Sequence, residues 1–342
     1  MRITFIGQIE NKKTGLGKAL NDIIAYSSYE LGDENLEQID ITNNSSFFNH
    51  VFRILTSNAD VFYFTPSGSK FGILRDSLYL LAMNLKKKKV VCHFHNSNFG
   101  NTIKSSFILS KISKKLYDSV SDIILLGSKQ KEMFTNLELV DEKFKIIHNG
   151  VDDYLFVTEG DILKKHSDNI KKVIYFSNML PEKGYRSVLE SAEELQDRED
   201  LFFYFSGKFF DKNLEEEFLK RSAHLKNVEY ISGVYGQEKK DLLQKMNIFI
   251  LPSKDEALPI SMLEAMASGC YIIVSDVGVI SEVVNLETTT LLSTDELNSK
   301  DISRTILQVL PSLSELDYHV DLMKNNFDNK QVQKRIFNVI VS

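Results

Sequence analysis

Cysteine is scarce in this sequence. Its 342 residues hold two, Cys92 and Cys270, each inside an apolar strand-like run. Two thiols in such places exclude a small disulfide scaffold and indicate buried cysteines in a reducing compartment. Long apolar runs are missing too: none approaches the roughly 18 residues of a membrane-spanning helix. The opening MRITFIGQIENKK turns polar after a few apolar residues, so it is expected to be a first strand rather than a signal peptide, and the protein to be cytoplasmic. No internal repeat or low-complexity tract is present. Positive charge is in deficit, with 41 Lys and Arg against 47 Asp and Glu and a net charge of −6, which argues against general nucleic-acid binding. What remains is an ordinary globular composition, 43% hydrophobic and 26% charged. That excludes a disordered or collagen-like chain, and the length suggests two domains.

The pattern alternates strand and helix. Apolar strand candidates lie at 2–7, 60–64, 89–94 and 122–126, with a weaker one at 144–147. Helix-length segments at 15–31, 46–56, 71–85 and 102–119 separate them. After the turn signal HNGVDD comes TEGDILKKHSDNIKK, polar and weakly periodic, the best linker candidate. The alternation restarts at 173–177, 201–207, 228–233, 247–253 and 271–276. Strands separated by helical stretches mean βαβ units and parallel sheets. The expected fold is therefore α/β, with two doubly wound domains facing a cleft: residues 1–155, residues 156–325, and a C-terminal helix over 326–342 returning to the first domain. Ligands of such sheets sit at the carboxyl ends of strands, so the loops there hold the candidate site.

The stretch LPSKDEALPISMLEAMASGCYIIVSDVGVISEVV, residues 251–284, is the most informative. A buried strand ends at Leu251, and Pro259 suits the first turn of a helix. Ile260, Met262, Leu263, Met266 and Ala267 form its apolar face, and Glu264 lies at the edge of that face as the helix's one charge. Glu256 sits in the preceding loop. A helix N-terminus offers free N–H groups and a positive dipole end, which suits phosphate. Carboxylates beside it accept hydrogen bonds from hydroxyl groups of a ribose or sugar. The same residues also read as an amphipathic helix with solvated glutamates.

The stretch resembles the signature of the GT4 family of retaining glycosyltransferases, which have the GT-B fold of two Rossmann-like domains. That signature is a Glu, seven residues, a second Glu, and a helix ending Ala-Met-Ala-x-Gly, and Glu256 and Glu264 have its spacing. NGVD at 149–152, SNMLPEKGYRSVLESAEEL at 177–195 and SGVYGQEKKDLLQKMNIFILPS at 232–253 resemble further family segments in the right order. The resemblance implies that Glu264 holds the ribose of a nucleotide and Glu256 the hydroxyls of the donor sugar. Lys183 would meet the diphosphate, whose charge grows as the glycosidic bond breaks. Many members place an Arg where this chain has Asn178, so Arg186 or Lys208 would have to replace that charge. Pro259 lacks an N–H, which leaves the amides of Leu258, Ile260 and Ser261 for phosphate or sugar. The activity implied is transfer of a sugar from a nucleotide-diphosphate donor to a glycan or lipid-linked saccharide, with no metal and no further cofactor. Rival readings on the same architecture are a nucleotide-sugar epimerase and a catalytically silent regulatory subunit.

In the first half, NKKTGLGKAL places Gly15 and Gly17 at the start of a helix. They fit backbone approach to a diphosphate or sugar, and equally a plain strand–helix turn. The third Gly of the dinucleotide fingerprint is missing, which argues against a nicotinamide enzyme. In VVCHFHNSNFG, alternation puts His93 and His95 on one face. No acid or thiol completes a metal set, and by the resemblance His95 fits as a hydrogen-bonding group to sugar or acceptor, the alternative being a buried, satisfied histidine. Residues 86–131 hold ten Lys against two acids. They read either as a solvated face or as a patch for an anionic membrane surface, with the apolar side of the helix at 101–117 expected to pack on the sheet.

Overall fold

The computed structural model describes residues 1–11 and 14–342. Lys12 and Lys13, part of the loop that leads to Gly15, lie outside the described residues. The chain divides into two compact units, residues 1–150 with 329–342, and residues 151–328. The division falls after Gly150, a few residues before the boundary expected at 155, because Val151 already bridges Asp328 inside the second unit.

The first unit contains β1 (Ile3–Gly7), β2 (Leu36–Asp40), β3 (Val61–Phe64), β4 (Lys89–Phe94), β5 (Asp122–Leu125) and β6 (Phe144–Ile146). All are parallel, in the order β2-β1-β3-β4-β5-β6. Strand alternation sorts the side chains into two cores. Phe62, Phe64, Val90 and Cys92 meet Ile54, Tyr79, Met83 and Leu116 on one face, from the helices Phe47–Thr56, Lys70–Leu85 and Phe107–Asp118. Phe5, Tyr63 and Val91 meet Leu20, Ile23, Val332 and Ile336 on the other, from Gly15–Leu31 and the C-terminal helix Asn329–Val341.

The second unit contains β7 (Lys171–Phe176), β8 (Leu201–Ser206), β9 (Val228–Ile231), β10 (Ile248–Leu251), β11 (Tyr271–Ser275) and β12 (Thr289–Leu292). These are also parallel, in the order β12-β11-β10-β7-β8-β9. Each unit is thus the expected doubly wound α/β layer. The strands β2 and β12 have no counterpart among the apolar runs. Both are edge strands, covered less completely than the centre, and LEQID and TTLL need no continuous apolar run.

Three expectations are corrected. The segment proposed as a linker is a helix, Glu159–His166, closed by a reciprocal capping box between Thr158 and Asp161. It packs through a buried Lys165, whose ammonium donates to the carbonyl of Ser268 at 2.6 Å, so charge there marks structure rather than a hinge. Residues 102–119 form two helices, Phe99–Lys104 and Phe107–Asp118, broken where Ser106 caps the second with its hydroxyl. The apolar side of that segment is also divided: Ile103 and Leu116 are buried, but Phe107 is 73% exposed and Ile108 69%. Among the described residues no helix is long and apolar enough to cross a membrane.

His166, fully buried, sits in a cage that fits only neutral imidazole. The Asn247 amide is oriented by accepting from Lys172 N at 2.8 Å and donating to Lys165 O at 2.9 Å. Its NH2 therefore faces His166 Nδ1, while Nε2 lies 3.0 Å from the carbonyl of Gly269. Burial, ahead of the nearby Lys165 and Lys171 charges, lowers the imidazole pKa from 6.5 to about 4. Between those values the unfolded chain binds the proton and the folded chain does not, so stability is full above 6.5 and lost as pH falls towards 4. The loss attributable to His166 is on the order of 3 kcal/mol. Urea titrations at pH 7 and pH 4.5 should show this slope in the wild type and a shallower one in His166→Gln.

Candidate functional site

In the second sheet β7 and β10 are neighbours whose chains leave in opposite directions, to β8 on one side and β11 on the other. Their carboxyl ends therefore diverge, and a crevice opens at this switch point. The loops after the two strands, 177–184 and 252–259, flank it. Gly184 lets them meet: it has φ +81°, and a Cβ there would stand 2.4 Å from the carbonyl oxygen of Pro252. The backbones join again where Lys254 N donates to Glu182 O at 2.9 Å.

This contact brings Lys183 and Glu256 together, Nζ to Oε1 at 2.7 Å. Glu256 Oε1 also accepts from the Ser253 hydroxyl at 2.9 Å, and Lys183 Nζ donates to the carbonyl of Asp255 at 3.3 Å. Both side chains keep some exposure, 22% and 12%, so the pair is accessible to a ligand. Beside Glu256 the helix Ile260–Ala267 begins. Pro259 is its N-cap rather than a residue of the first turn, because φ −70° and ψ 121° turn its carbonyl into the helix while its own conformation stays extended. The amides of Ile260 and Ser261 fall in the first turn, which has no intrahelical acceptor; both residues are half-buried, and Leu258 is buried. The loop 276–279 closes against this one, with Val279 N donating to Ala257 O at 3.0 Å.

Asn178 lies on the opposite lip, its carbonyl accepting from the Tyr175 hydroxyl at 3.0 Å. Of the two cations considered as substitutes for the missing arginine, Arg186 is committed to Glu217 at 2.8 Å. Lys208 is the one beside this loop: its carbonyl accepts from Met179 N at 2.9 Å, and its ammonium lies 5.9 Å from the centre of the Tyr235 ring.

Glu264 is not an edge charge. It is 3% exposed and forms an ion pair and hydrogen bond with Lys239, itself buried, from the helix Gly236–Leu243. Lys183 and Glu256 are thus one constellation, and Glu264 with Lys239 another. Lys239 went unnoticed in the sequence. Its signal was periodicity: Lys239, Leu242, Leu243 and Met246 follow the i, i+3, i+4, i+7 rule of a buried face, and a lysine there needs a buried partner.

In the first unit His93 and His95 extend from the end of β4, their rings 4.0 Å apart. The Tyr63 hydroxyl lies 2.5 Å from His93 Nδ1. Neither Nε2 has a hydrogen-bond partner among the described residues. Burial lowers the His95 pKa to about 4 and holds His93 well below its usual range, so both rings are neutral at physiological pH. Gly17 is committed: its amide donates to the Thr14 hydroxyl at 3.1 Å as part of the helix cap. Of the two glycines, Gly15 is the exposed one. Among the described residues no three His, Cys, Asp or Glu side chains lie together as a metal set.

Residues 161–321 match the family described as glycosyl transferases group 1. A 217-residue segment is 29% identical to an N,N'-diacetylbacillosaminyl-diphospho-undecaprenol alpha-1,3-N-acetylgalactosaminyltransferase of Campylobacter jejuni, covering 60% of this chain and 55% of that protein. The chain spans about half the length of the curated relatives it matches. Among solved structures, the Anabaena protein HepE in complex with UDP superposes with a TM-score of 0.76 at 15% identity over 100% of both chains. The apo lipopolysaccharide outer core galactosyltransferase WaaB gives 0.69 at 15% identity, over 100% of this chain and 99% of that one. These likenesses show the fold, the two-sheet GT-B architecture.

Removing one member of the Lys239–Glu264 pair strands a buried charge. Lys239→Met should therefore cost roughly 3–5 kcal/mol. Adding Glu264→Gln to that variant should recover part of the loss, since the stranded charge is then gone. Denaturant unfolding of the two variants, both measured against wild type, checks this.

Proposed function

We propose that the protein is a group 1 glycosyltransferase of the GT4 type, moving a sugar from a nucleotide-diphosphate sugar to a glycan or lipid-linked saccharide with retention of anomeric configuration. The observation that carries this reading is the accessible Lys183–Glu256 pair at 2.7 Å, set beside a helix start at the switch point of the second sheet. An ion pair in that place holds a cation and an acceptor ready for a ligand that offers both phosphate and hydroxyl groups. The match of residues 161–321 to group 1 glycosyl transferases supports it. So do the solved neighbours that hold UDP or UDP-glucose, and the Campylobacter relative's name, which points to a lipid-diphosphate saccharide.

In this reading the diphosphate draws Lys183 from Glu256, and Glu256 is freed to accept from the donor sugar's hydroxyls. The amides of Leu258, Ile260 and Ser261 and the backbone at Asn178 line the phosphate path, with Lys208 supplying the second cation. Glu264, oriented by Lys239, receives the ribose. The bond from the sugar's anomeric carbon to the phosphate oxygen breaks while the acceptor oxygen bonds to that carbon on the same face. The acceptor's proton passes to the departing phosphate oxygen. Lys183 and the helix start stabilise the charge that grows there, without a metal ion. His95, neutral, offers Nε2 as a hydrogen-bonding group to sugar or acceptor, and Gly15 gives the backbone of its loop close approach.

Because the charge on the diphosphate peaks in the transition state, Lys183→Ala should lower kcat on the order of 100-fold and raise KM far less. Steady-state kinetics with a nucleotide sugar and a saccharide acceptor check it. Glu264→Gln combined with Lys239→Met, which leaves no stranded charge, should weaken nucleoside diphosphate binding by roughly 10-fold in calorimetry, since a hydrogen bond to a charged group is lost. Incubation of donor without acceptor should leave its sugar unepimerised; rapid conversion to an epimer would replace this reading with that of an epimerase.

A further inference from the structure

The first unit carries three outward apolar stripes on one side. On the helix Lys70–Leu85, the exposed residues Phe71, Leu74, Leu78, Leu81 and Leu85 follow one another at alternating steps of three and four. That is the repeat of a helix face that needs a covering layer. The helix Phe47–Thr56 packs along one flank of it and exposes Phe48, Phe52 and Leu55; Phe107–Asp118 packs along the other and exposes Phe107, Ile108 and Ile112. The inward sides of the same helices already fill the sheet's core. A contiguous apolar surface of this extent on a chain in water marks an interaction site.

Charge identifies the occupant. The three helices contain two carboxylates, Asp76, which is buried and paired with Arg75, and Asp118 at the last residue of the third. Lys70, Lys87, Lys111 and Lys115 are exposed on or next to them, and Lys111 lies 4.6 Å from the centre of the Phe107 ring. The wider lysine run is not one free patch: Lys89 pairs with Asp122, Lys114 with Glu138 and Lys131 with Asp141. Apolar side chains rimmed by lysines, with Asp118 at the end of the third helix as the one exposed carboxylate of the three, match the acyl and phosphate layers of an anionic bilayer. A second copy of the chain meeting this face across a two-fold axis would set lysine against lysine.

We infer that this three-helix face docks in the surface of an anionic membrane, with Phe71, Leu74 and Phe107 entering the acyl boundary and Lys70, Lys111 and Lys115 meeting lipid phosphate. The inference goes beyond glycosyl transfer and stands apart from it, since nucleotide binding is read separately. It gives the enzyme a fixed station at the surface where a lipid-linked substrate would lie.

The absence of tryptophan from the chain makes the test direct. Phe71→Trp in the full chain introduces a single indole fluorophore. On vesicles of equal phosphatidylglycerol and phosphatidylcholine in 0.1 M salt, its emission should shift to the blue and be quenched by brominated lipid. Flotation should show the wild type bound. Leu74→Glu should weaken binding on the order of 10-fold or more, and Lys111→Gln with Lys115→Gln roughly 5-fold per lysine. Nucleoside diphosphate binding should stay unchanged in these variants, which shows them folded. Loss confined to the lysine variants, with no blue shift or quenching of the introduced indole, would overturn insertion. No flotation at all would overturn the inference, as would a dimer in sedimentation velocity that Leu74→Glu dissolves and vesicles do not displace.

Discussion

The candidate site depends on how closely two diverging loops can approach. At the switch point of the second sheet, β7 and β10 hold their chains side by side and then send them apart. A side chain on Gly184 would collide with the Pro252 carbonyl, and one on Gly207 would stand 1.8 Å from the carbonyl oxygen of Ser177. Backbone packing this tight carries Lys183 to within an ion-pair distance of Glu256 without either residue leaving its own loop. Everything else at the crevice is arranged around that contact: the helix start after Pro259, the Ser253 hydroxyl on Glu256, and Gly278 at φ +58°, whose loop lies against the backbone of Glu256 and Ala257.

The two Lys–Glu pairs of the second unit differ in a way that matters for chemistry. Lys183 and Glu256 retain contact with solvent, where opening an ion pair is cheap because water and ligand can replace the lost partner. Lys239 and Glu264 are buried, where the same opening would strand a charge in low dielectric. The first pair is therefore suited to exchange partners with a ligand, and the second to hold a carboxylate in one orientation. A similar division runs through the histidines. His166 has both ring nitrogens engaged inside the second unit, whereas His93 and His95 keep an unengaged Nε2 at the carboxyl end of a strand, where a sheet of this type presents its ligand contacts.

The layer architecture, the strand–helix alternation and the place to look are legible in the amino-acid order alone. Period and composition are local properties: VVCHF and YIIVS can be little but buried strands, and the spacing of Glu256 and Glu264 around a helix start is visible in one line of text. That order did not determine the edge strands, because β2 and β12 need only one well-covered neighbour and so show no apolar run. It misread the segment 158–172 because a capping box and a lysine that finds a carbonyl acceptor look, in composition, like a solvated linker. Which charges meet is settled by the folded chain. Lys239 lies 25 residues from Glu264, and no local pattern says that the two form a buried pair. Nor does periodicity say which side of an amphipathic helix is covered. Phe71, Leu74 and Leu78 are as apolar as core residues, and they lie exposed because Ile73, Tyr79, Leu80 and Met83, on the opposite side, already fill the space against the sheet.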